Sequence, residues 1–223
     1  MRKIFFRNIQ FFGKESVNKI KNSEVAVCGV GGLGCVVADI LTRMGVGKIK
    51  LLDKGIVDEP DIGRQLLYDY FDIGKKKVAA AKEKLIKIRT SKIESYMVDI
   101  QNDNLDFLET VSVVADCLDN YSSRYSLENI IKEHQFLVHG SVENSYGQIT
   151  TIKKKETVKL KELYFGLKEK EEIAVSTPAV FFVGTLMAEE IINCILLKPK
   201  LKNTLLVANL SDFSLSKIPL SID

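Results

Sequence analysis

The 223-residue chain has no tryptophan, four prolines, four cysteines and two histidines. Each scarcity excludes something. Cys28, Cys35, Cys117 and Cys194 form no CxxC pair, so neither a paired-CxxC zinc site nor a CxxC redox centre is expected. Their apolar or element-forming surroundings predict small core residues of a reduced, cytoplasmic protein. No apolar run reaches the roughly 18 residues of a membrane span. The start, MRKIFFRNIQFFGKES, is basic and aromatic but broken by Arg7 and Asn8. It lacks a small-residue cleavage site, so no signal peptide is read. Charge is nearly balanced, with 32 basic and 29 acidic residues and a net +3. Without a sustained basic arm, composition gives no reason to expect a nucleic-acid partner.

What is present is the pattern of a globular chain, 46% hydrophobic and 27% charged. Strands are expected at 24–29, 48–53, 93–98, 111–117 and 135–139, and helices at 33–44, 75–89 and 122–133, with a short one at 104–109. Strands alternating with helices predict an α/β protein with a parallel sheet. The pattern then changes to a strand at 147–153, a polar lysine-rich segment at 154–172 and a strongly apolar helix at 179–197. A terminal hairpin is expected from 204–209 and 213–218. The apolar helix reads as a core or subunit-interface element.

The stretch VAVCGVGGLGCVVADILTRMGVGKIKLLDK carries G-x-G-x-x-G at Gly29, Gly31 and Gly34, with Gly32 between them. It falls between a predicted strand and a predicted helix. There the first glycine permits a tight turn, the second lets backbone approach a phosphate and the third lets helix and strand pack closely. Helix amides then face the anion. Asp53 ends the next strand, where a carboxylate accepts hydrogen bonds from ribose hydroxyls. A dinucleotide and ATP both satisfy this motif.

The charges that follow separate the two. Asp61, Arg64 and Gln65 lie in KGIVDEPDIGRQ, and Lys77 lies in DIGKKKVAAAK in the first turn of a helix. A lysine there opposes the helix dipole unless an anion stands in front. Arg64 and Lys77 together suit a triphosphate attacked at its α-phosphate; a solvated charge run is the plainer alternative. In ADCLDNYSSRY, Asp119 follows a strand into the crevice where open α/β sheets bind ligands. A carboxylate beside phosphates implies a divalent ion, and Mg²⁺ commonly takes one or two carboxylates plus phosphate oxygens. Otherwise Asp116 is a structural strand-end residue, and Asp119 or Asn120 caps the next helix. His134 reads as solvated. His139 either approaches the crevice or is a satisfied buried histidine.

Five ordered blocks, VAVCGVGGLG, LLDKGIVDEPDIGRQ, IGKKKVAAA, ADCLDNYSSRY and VHGSVENSYGQITTI, resemble the ThiF/MoeB/HesA family of ubiquitin-activating-enzyme-like adenylyltransferases. The resemblance runs over about 25–152 and more weakly over 177–218. It implies a Rossmann-like, doubly wound, mostly parallel sheet with antiparallel strands added at the C-terminal side. It implies one adenylation domain with an N-terminal arm (1–23), a nucleotide-binding core (24–152), a crossover-like loop (153–176) and a helix with terminal hairpin (177–223). It also implies ATP and Mg²⁺ as cofactors, and a homodimer. The substrate it implies is the C-terminal glycine of a small ubiquitin-like sulfur-carrier protein ending in Gly-Gly, in thiamine or molybdopterin biosynthesis.

Carried over, Gly29, Gly31, Gly32 and Gly34 form the phosphate turn and Asp53 holds the ribose. Arg64, Gln65 and Lys77 contact the triphosphate, and Asp119 takes the magnesium position. Arg7 matches a family arginine that reaches the partner subunit's ATP. Three departures stand out. The family usually has asparagine where this chain has Asp61, and an extra carboxylate there either weakens ATP binding or holds metal. Many members hold zinc through two CxxC pairs; none exists here, so no zinc is expected. The 153–175 segment also lacks the cysteine that in some members accepts the activated partner or sulfur.

Three alternatives remain from sequence. The same chemistry serves a small-molecule or tRNA-base carboxylate. An NAD-dependent oxidoreductase explains the glycines and Asp53 but leaves Arg64, Lys77 and Asp119 idle. A nucleotide-binding regulator without catalysis is the third. Cys35, at a helix N-terminus, suggests a lowered thiol pKa or, more simply, a packed small residue.

Overall fold

The computed structural model of the protein describes residues 3–90, 92–169 and 173–221. Parallel strands β1 (Glu24–Cys28), β2 (Lys48–Leu52), β3 (Lys92–Tyr96), β4 (Val113–Asp116) and β5 (Phe136–Glu143) form one side of a sheet. Strands β6 (Tyr146–Ile152), β7 (Thr204–Asn209) and β8 (Ser214–Pro219) extend it antiparallel. The order is β3-β2-β1-β4-β5-β6-β7-β8. This is the Rossmann-like α/β sheet with an antiparallel C-terminal side.

Period-two alternation explains both cores. Val25 and Val27 face α2 (Gly32–Met44), α3 (Lys77–Ile88) and α6 (Thr177–Ile195), while Ala26 and Cys28 face α4 (Tyr121–Ile130) and α5 (Leu160–Leu163). A parallel strand covered on both sides reads as a continuous apolar run, here VAVC. From β1 the chain moves outward to β2 and β3, then returns to β4 on the other side of β1. That reversal opens a crevice beyond the carboxyl ends of β1 and β4.

Three regions differ from expectation. Much of the N-terminal arm is a helix, α1 (Phe6–Lys21), broken at Gly13 and burying Val17 and Ile20. Phe6 and Phe11 are exposed while Phe12 packs on the core, so its aromatics fall on both faces and hide its period. The polar segment at 154–172 contains α5, which buries Leu160 and Tyr164 in the second core between exposed lysines; residues 170–172 lie outside the described ones. The apolar helix begins and ends two residues earlier than expected, at Thr177–Ile195; its 19 residues are long and apolar enough on average to pass for a membrane span, although Glu189 and Glu190 interrupt the apolar run. In the fold α6 packs on α2, β5 and β6 and buries Val183, Met187 and Ile191. Elsewhere element ends shift by a few residues, and the short helix is a 3-10 turn, Asp106–Thr110.

Candidate functional site

The turn between β1 and α2 is shaped by glycine. Gly29 has φ 86°, and a Cβ there would lie 2.6 Å from the Cys117 carbonyl oxygen. A Cβ on Gly34 would lie 1.9 Å from the Gly29 carbonyl oxygen. These two positions serve backbone packing. Gly31 differs, because the nearest atom to a Cβ there is Gln65 Nε2 at 3.8 Å. Its α-carbon faces open space. Gly32 begins α2 against Val180. The helix starts with no side-chain cap, so its first amides are free to meet an anion.

Asp53 ties the turn to the next strand. One carboxylate oxygen accepts the Val30 N–H at 2.7 Å and the other the Gly55 N–H at 2.6 Å. Each keeps a lone pair for a ribose hydroxyl. Buried Tyr68 completes the frame, donating to the Val30 carbonyl at 2.7 Å with the Lys77 carbonyl at 3.2 Å. Sequence reasoning missed Tyr68; its only signal is an aromatic shortly after the charged loop.

Asp61 is the hub of the charged loop. It is 6% exposed. Its carboxylate accepts the Gln65 side-chain amide at 2.5 Å and the Asp58 N–H at 3.0 Å. It also pairs with Lys77 at 3.0 Å and Arg64 at 3.3 Å. Arg64 donates in addition to the Pro60 carbonyl at 2.5 Å. The anion standing in front of α3 is therefore Asp61 itself, which answers the dipole objection to Lys77. Arg64 and Lys77 thus share the Asp61 carboxylate close to Gly31, whose nearest side-chain atom is Gln65 Nε2. Gln65 Oε1 is buried without a protein partner.

Asp119 lies on the loop after β4, whose Cys117–Leu118 backbone packs on Gly29. Its side chain is exposed and accepts a hydrogen bond from Asn120 Nδ2 at 3.1 Å. Asn120, not Asp119, caps α4 by accepting the Ser123 N–H at 2.8 Å. Arg7 is on α1 and its guanidinium reaches Gln10. Neighbouring Asn8 bonds the Met44 carbonyl at the far end of α2, so the chain does not bring Arg7 to its own glycine turn.

Buried Asp116 and His139 form a second polar centre. Asp116 Oδ2 lies 2.7 Å from His139 Nδ1, and His139 Nε2 lies 2.5 Å from the Tyr164 hydroxyl. Burial pushes the His139 pKa down against the opposing pull of Asp116. His139 is thus the satisfied buried histidine. Burial also pushes the Cys35 thiol up to about 12, and Cys117 is shifted the same way by burial and by Asp116. Neither thiol has the environment of a reactive one.

The donor set fits a nucleoside triphosphate. Gly31 leaves room, the α2 amides lack a cap, and Arg64 and Lys77 bring charge. Among the described residues no three metal-binding side chains cluster. A lone exposed carboxylate such as Asp119 suits Mg²⁺ only if phosphate oxygens and water complete its shell.

Comparison with known proteins gives consistent matches. The ThiF family pattern matches residues 5–222. A probable molybdopterin-synthase adenylyltransferase from Porphyra purpurea is 28% identical over 192 residues, covering 82% of this chain and 50% of that protein. The adenylyltransferase and sulfurtransferase UBA4 of Scheffersomyces stipitis is 34% identical over 146 residues, covering 64% of this chain and 33% of that one. The chain thus spans a third to a half of the length of these relatives. Among solved structures, E. coli MccB with ATP superposes with TM-score 0.82 at 20% identity, over 99% of this chain and 72% of that one. PaaA does so with TM-score 0.82 at 19% identity, over 98% and 82%. These two show the fold.

Proposed function

Because the chain belongs to the ThiF family, we propose that it is an ATP-dependent adenylyltransferase. Its substrate is a carboxylate, foremost the C-terminal glycine of a ubiquitin-like sulfur-carrier protein. The observation that supports this best is the meeting of Arg64, Lys77 and Gln65 on Asp61 beside the open face of Gly31. The pyrophosphate of a redox dinucleotide carries less charge than a triphosphate and loses no charged leaving group, so it asks less of that cationic pair.

The chemistry asks little of acid–base groups. The acceptor carboxylate is ionised at neutral pH. One of its oxygens attacks the α-phosphorus, the bond from that phosphorus to the bridging oxygen breaks, and pyrophosphate leaves with the electron pair. The products are an acyl-adenylate and pyrophosphate. In this reading the glycine turn and α2 amides hold phosphate oxygens, Asp53 orients the ribose, and Arg64 and Lys77 stabilise the departing charge. Asp119 would hold Mg²⁺, which when bound supplies neutralisation of the phosphates. Arg7, remote from its own glycine turn, serves the site of a second copy in a homodimer.

The test is ATP–pyrophosphate exchange with candidate carriers. Wild-type exchange should depend on the carrier, and Arg64→Ala should lower it by about a thousandfold, the scale of arginine stabilisation in phosphoryl transfer. Undiminished exchange in that variant removes Arg64 from the mechanism. A second reading, activation of a small-molecule or tRNA-base carboxylate, draws on the lack of cysteine in 153–176. Turnover of a small acid with every carrier inactive would favour it.

A further inference from the structure

Asp119 belongs to a loop whose two flanks are both tied to the crossover segment. On its N-terminal side, Asp116 Oδ1 accepts the Leu118 N–H at 3.1 Å. The other oxygen of Asp116 receives His139 Nδ1–H, which leaves Nε2 as acceptor for the Tyr164 hydroxyl proton. The Tyr164 oxygen in turn accepts from Gln148 Nε2 at 2.6 Å. Every donor and acceptor in this chain is matched, and Asp116, His139 and Tyr164 are all buried. Arg124 adds a second grip, donating twice to the Leu118 carbonyl at 2.7 and 3.1 Å. Its guanidinium lies over the rings of Tyr121 and Tyr164 at 5.6 and 5.8 Å.

On the C-terminal side, the Tyr121 N–H donates to the Glu169 carboxylate at 2.8 Å. The Tyr121 and Tyr164 rings also touch, with centroids 4.9 Å apart. Residues 117–121 are thus held between Tyr164, acting through His139, Asp116 and Arg124, and Glu169, acting directly on the first turn of α4. Both anchors come from the segment between β6 and α6, the crossover-like loop of the family resemblance.

We propose that Tyr164 and Glu169 are positioning residues that set the loop carrying Asp119, and so couple the crossover segment to the metal side of the nucleotide site. The inference rests on the adenylation reading, in which Asp119 is the metal carboxylate. An acceptor that displaces the crossover segment then alters the placement of Asp119, and a bound nucleotide with its metal stiffens the segment in return.

The experiment is a calorimetric titration of ATP into the full chain across a series of Mg²⁺ concentrations, which needs no acceptor. Wild type should bind ATP more tightly as Mg²⁺ rises, and Asp119→Asn should lose that dependence. Tyr164→Phe and Glu169→Ala should each raise the half-maximal Mg²⁺ concentration about tenfold, the scale of one lost hydrogen bond. ATP affinity in EDTA should stay near wild type in both, as should the melting midpoint of Glu169→Ala; Tyr164→Phe, which strips the partner from buried His139 Nε2, should melt lower. A merely structural role would lower melting without shifting the Mg²⁺ response. Glu169 is exposed, so its variant keeps the test decisive if Tyr164→Phe unfolds. An unchanged Mg²⁺ dependence in the folded variants, beside a responsive wild type, overturns the coupling alone. A wild type indifferent to Mg²⁺ removes the metal role of Asp119, and the coupling falls with it.

Discussion

On the nucleotide side of the crevice, the side chains that meet come from one stretch: Asp53, Asp61, Arg64, Gln65, Tyr68 and Lys77. On the crossover side, Asp116, His139, Gln148, Tyr164 and Glu169 come from β4, β5, β6, α5 and the chain beyond it. Within the first set the Asp61 cluster closes through short-range turns and a helix start, while Asp53 and Tyr68 reach back across the sheet to Val30. The second set exists only once β4, β5 and β6 are side by side. The charged hub of the phosphate site is therefore specified locally, and the acceptor side by long-range packing.

Four substitutions and one control on the nucleotide side probe this contrast, in falling order of effect. Gly34→Ala drives a methyl into the Gly29 carbonyl and should destabilise the fold by about 3 kcal/mol or more in denaturant melts. Gly31→Ala meets open space and should leave those melts unchanged while weakening ATP binding. Equal destabilisation by both would erase the distinction between packing and ligand glycines.

Asp72→Asn comes next. Burial pushes this carboxyl up, but hydrogen bonds from Lys75, Lys84 and the Asp69 N–H together hold it at about 2. Because its folded pKa is depressed below the unfolded value, the stabilisation is full above about pH 4 and fades as pH falls toward 2. The substitution should cost about 2 kcal/mol at neutral pH and almost nothing below pH 2. A cost that persists at pH 2 would assign the effect to packing.

Asp61→Asn keeps an acceptor for the Asp58 N–H but removes a negative charge beside the triphosphate site. ATP should bind about tenfold more tightly, roughly 1.4 kcal/mol. Weaker binding would show that orienting Arg64 and Lys77 outweighs their partial neutralisation. The smallest effect is expected of Tyr68→Phe, about 1 kcal/mol for the lost hydrogen bond to Val30. If it also changes the Mg²⁺ response, the two sides of the crevice are not built independently.

The same contrast explains what sequence reading reached. β1, β2 and β4 announce themselves as apolar runs, and the glycine turn by spacing, because each depends on neighbours in the chain. Asp61 was legible as an oddity but not as a hub, since its partners meet it only when 61–65 folds against the start of α3. His139 could be read two ways until Asp116 and Tyr164 stood on either side of it. Tyr164 left no trace, because a single buried tyrosine among exposed lysines carries no period. The helix α1 was missed for a related reason, its aromatics being split between solvent (Phe6 and Phe11) and the core that Ile20 joins (Phe12).

The carboxylate of Glu190, 2% exposed in α6, has its own consequence. It accepts the Thr151 hydroxyl at 2.8 Å and the backbone amides of Lys200 and Leu201, each at 2.8 Å. In a bilayer a charged residue at mid-helix costs about 2.5–3.5 kcal/mol. Here the fold supplies four donors, Asn193 Nδ2 at 3.3 Å being the fourth, and two of them come from residues synthesised after the helix. During synthesis the Glu190 carboxylate lacks these two donors until the chain has passed Leu201, so α6 docks fully only after that point.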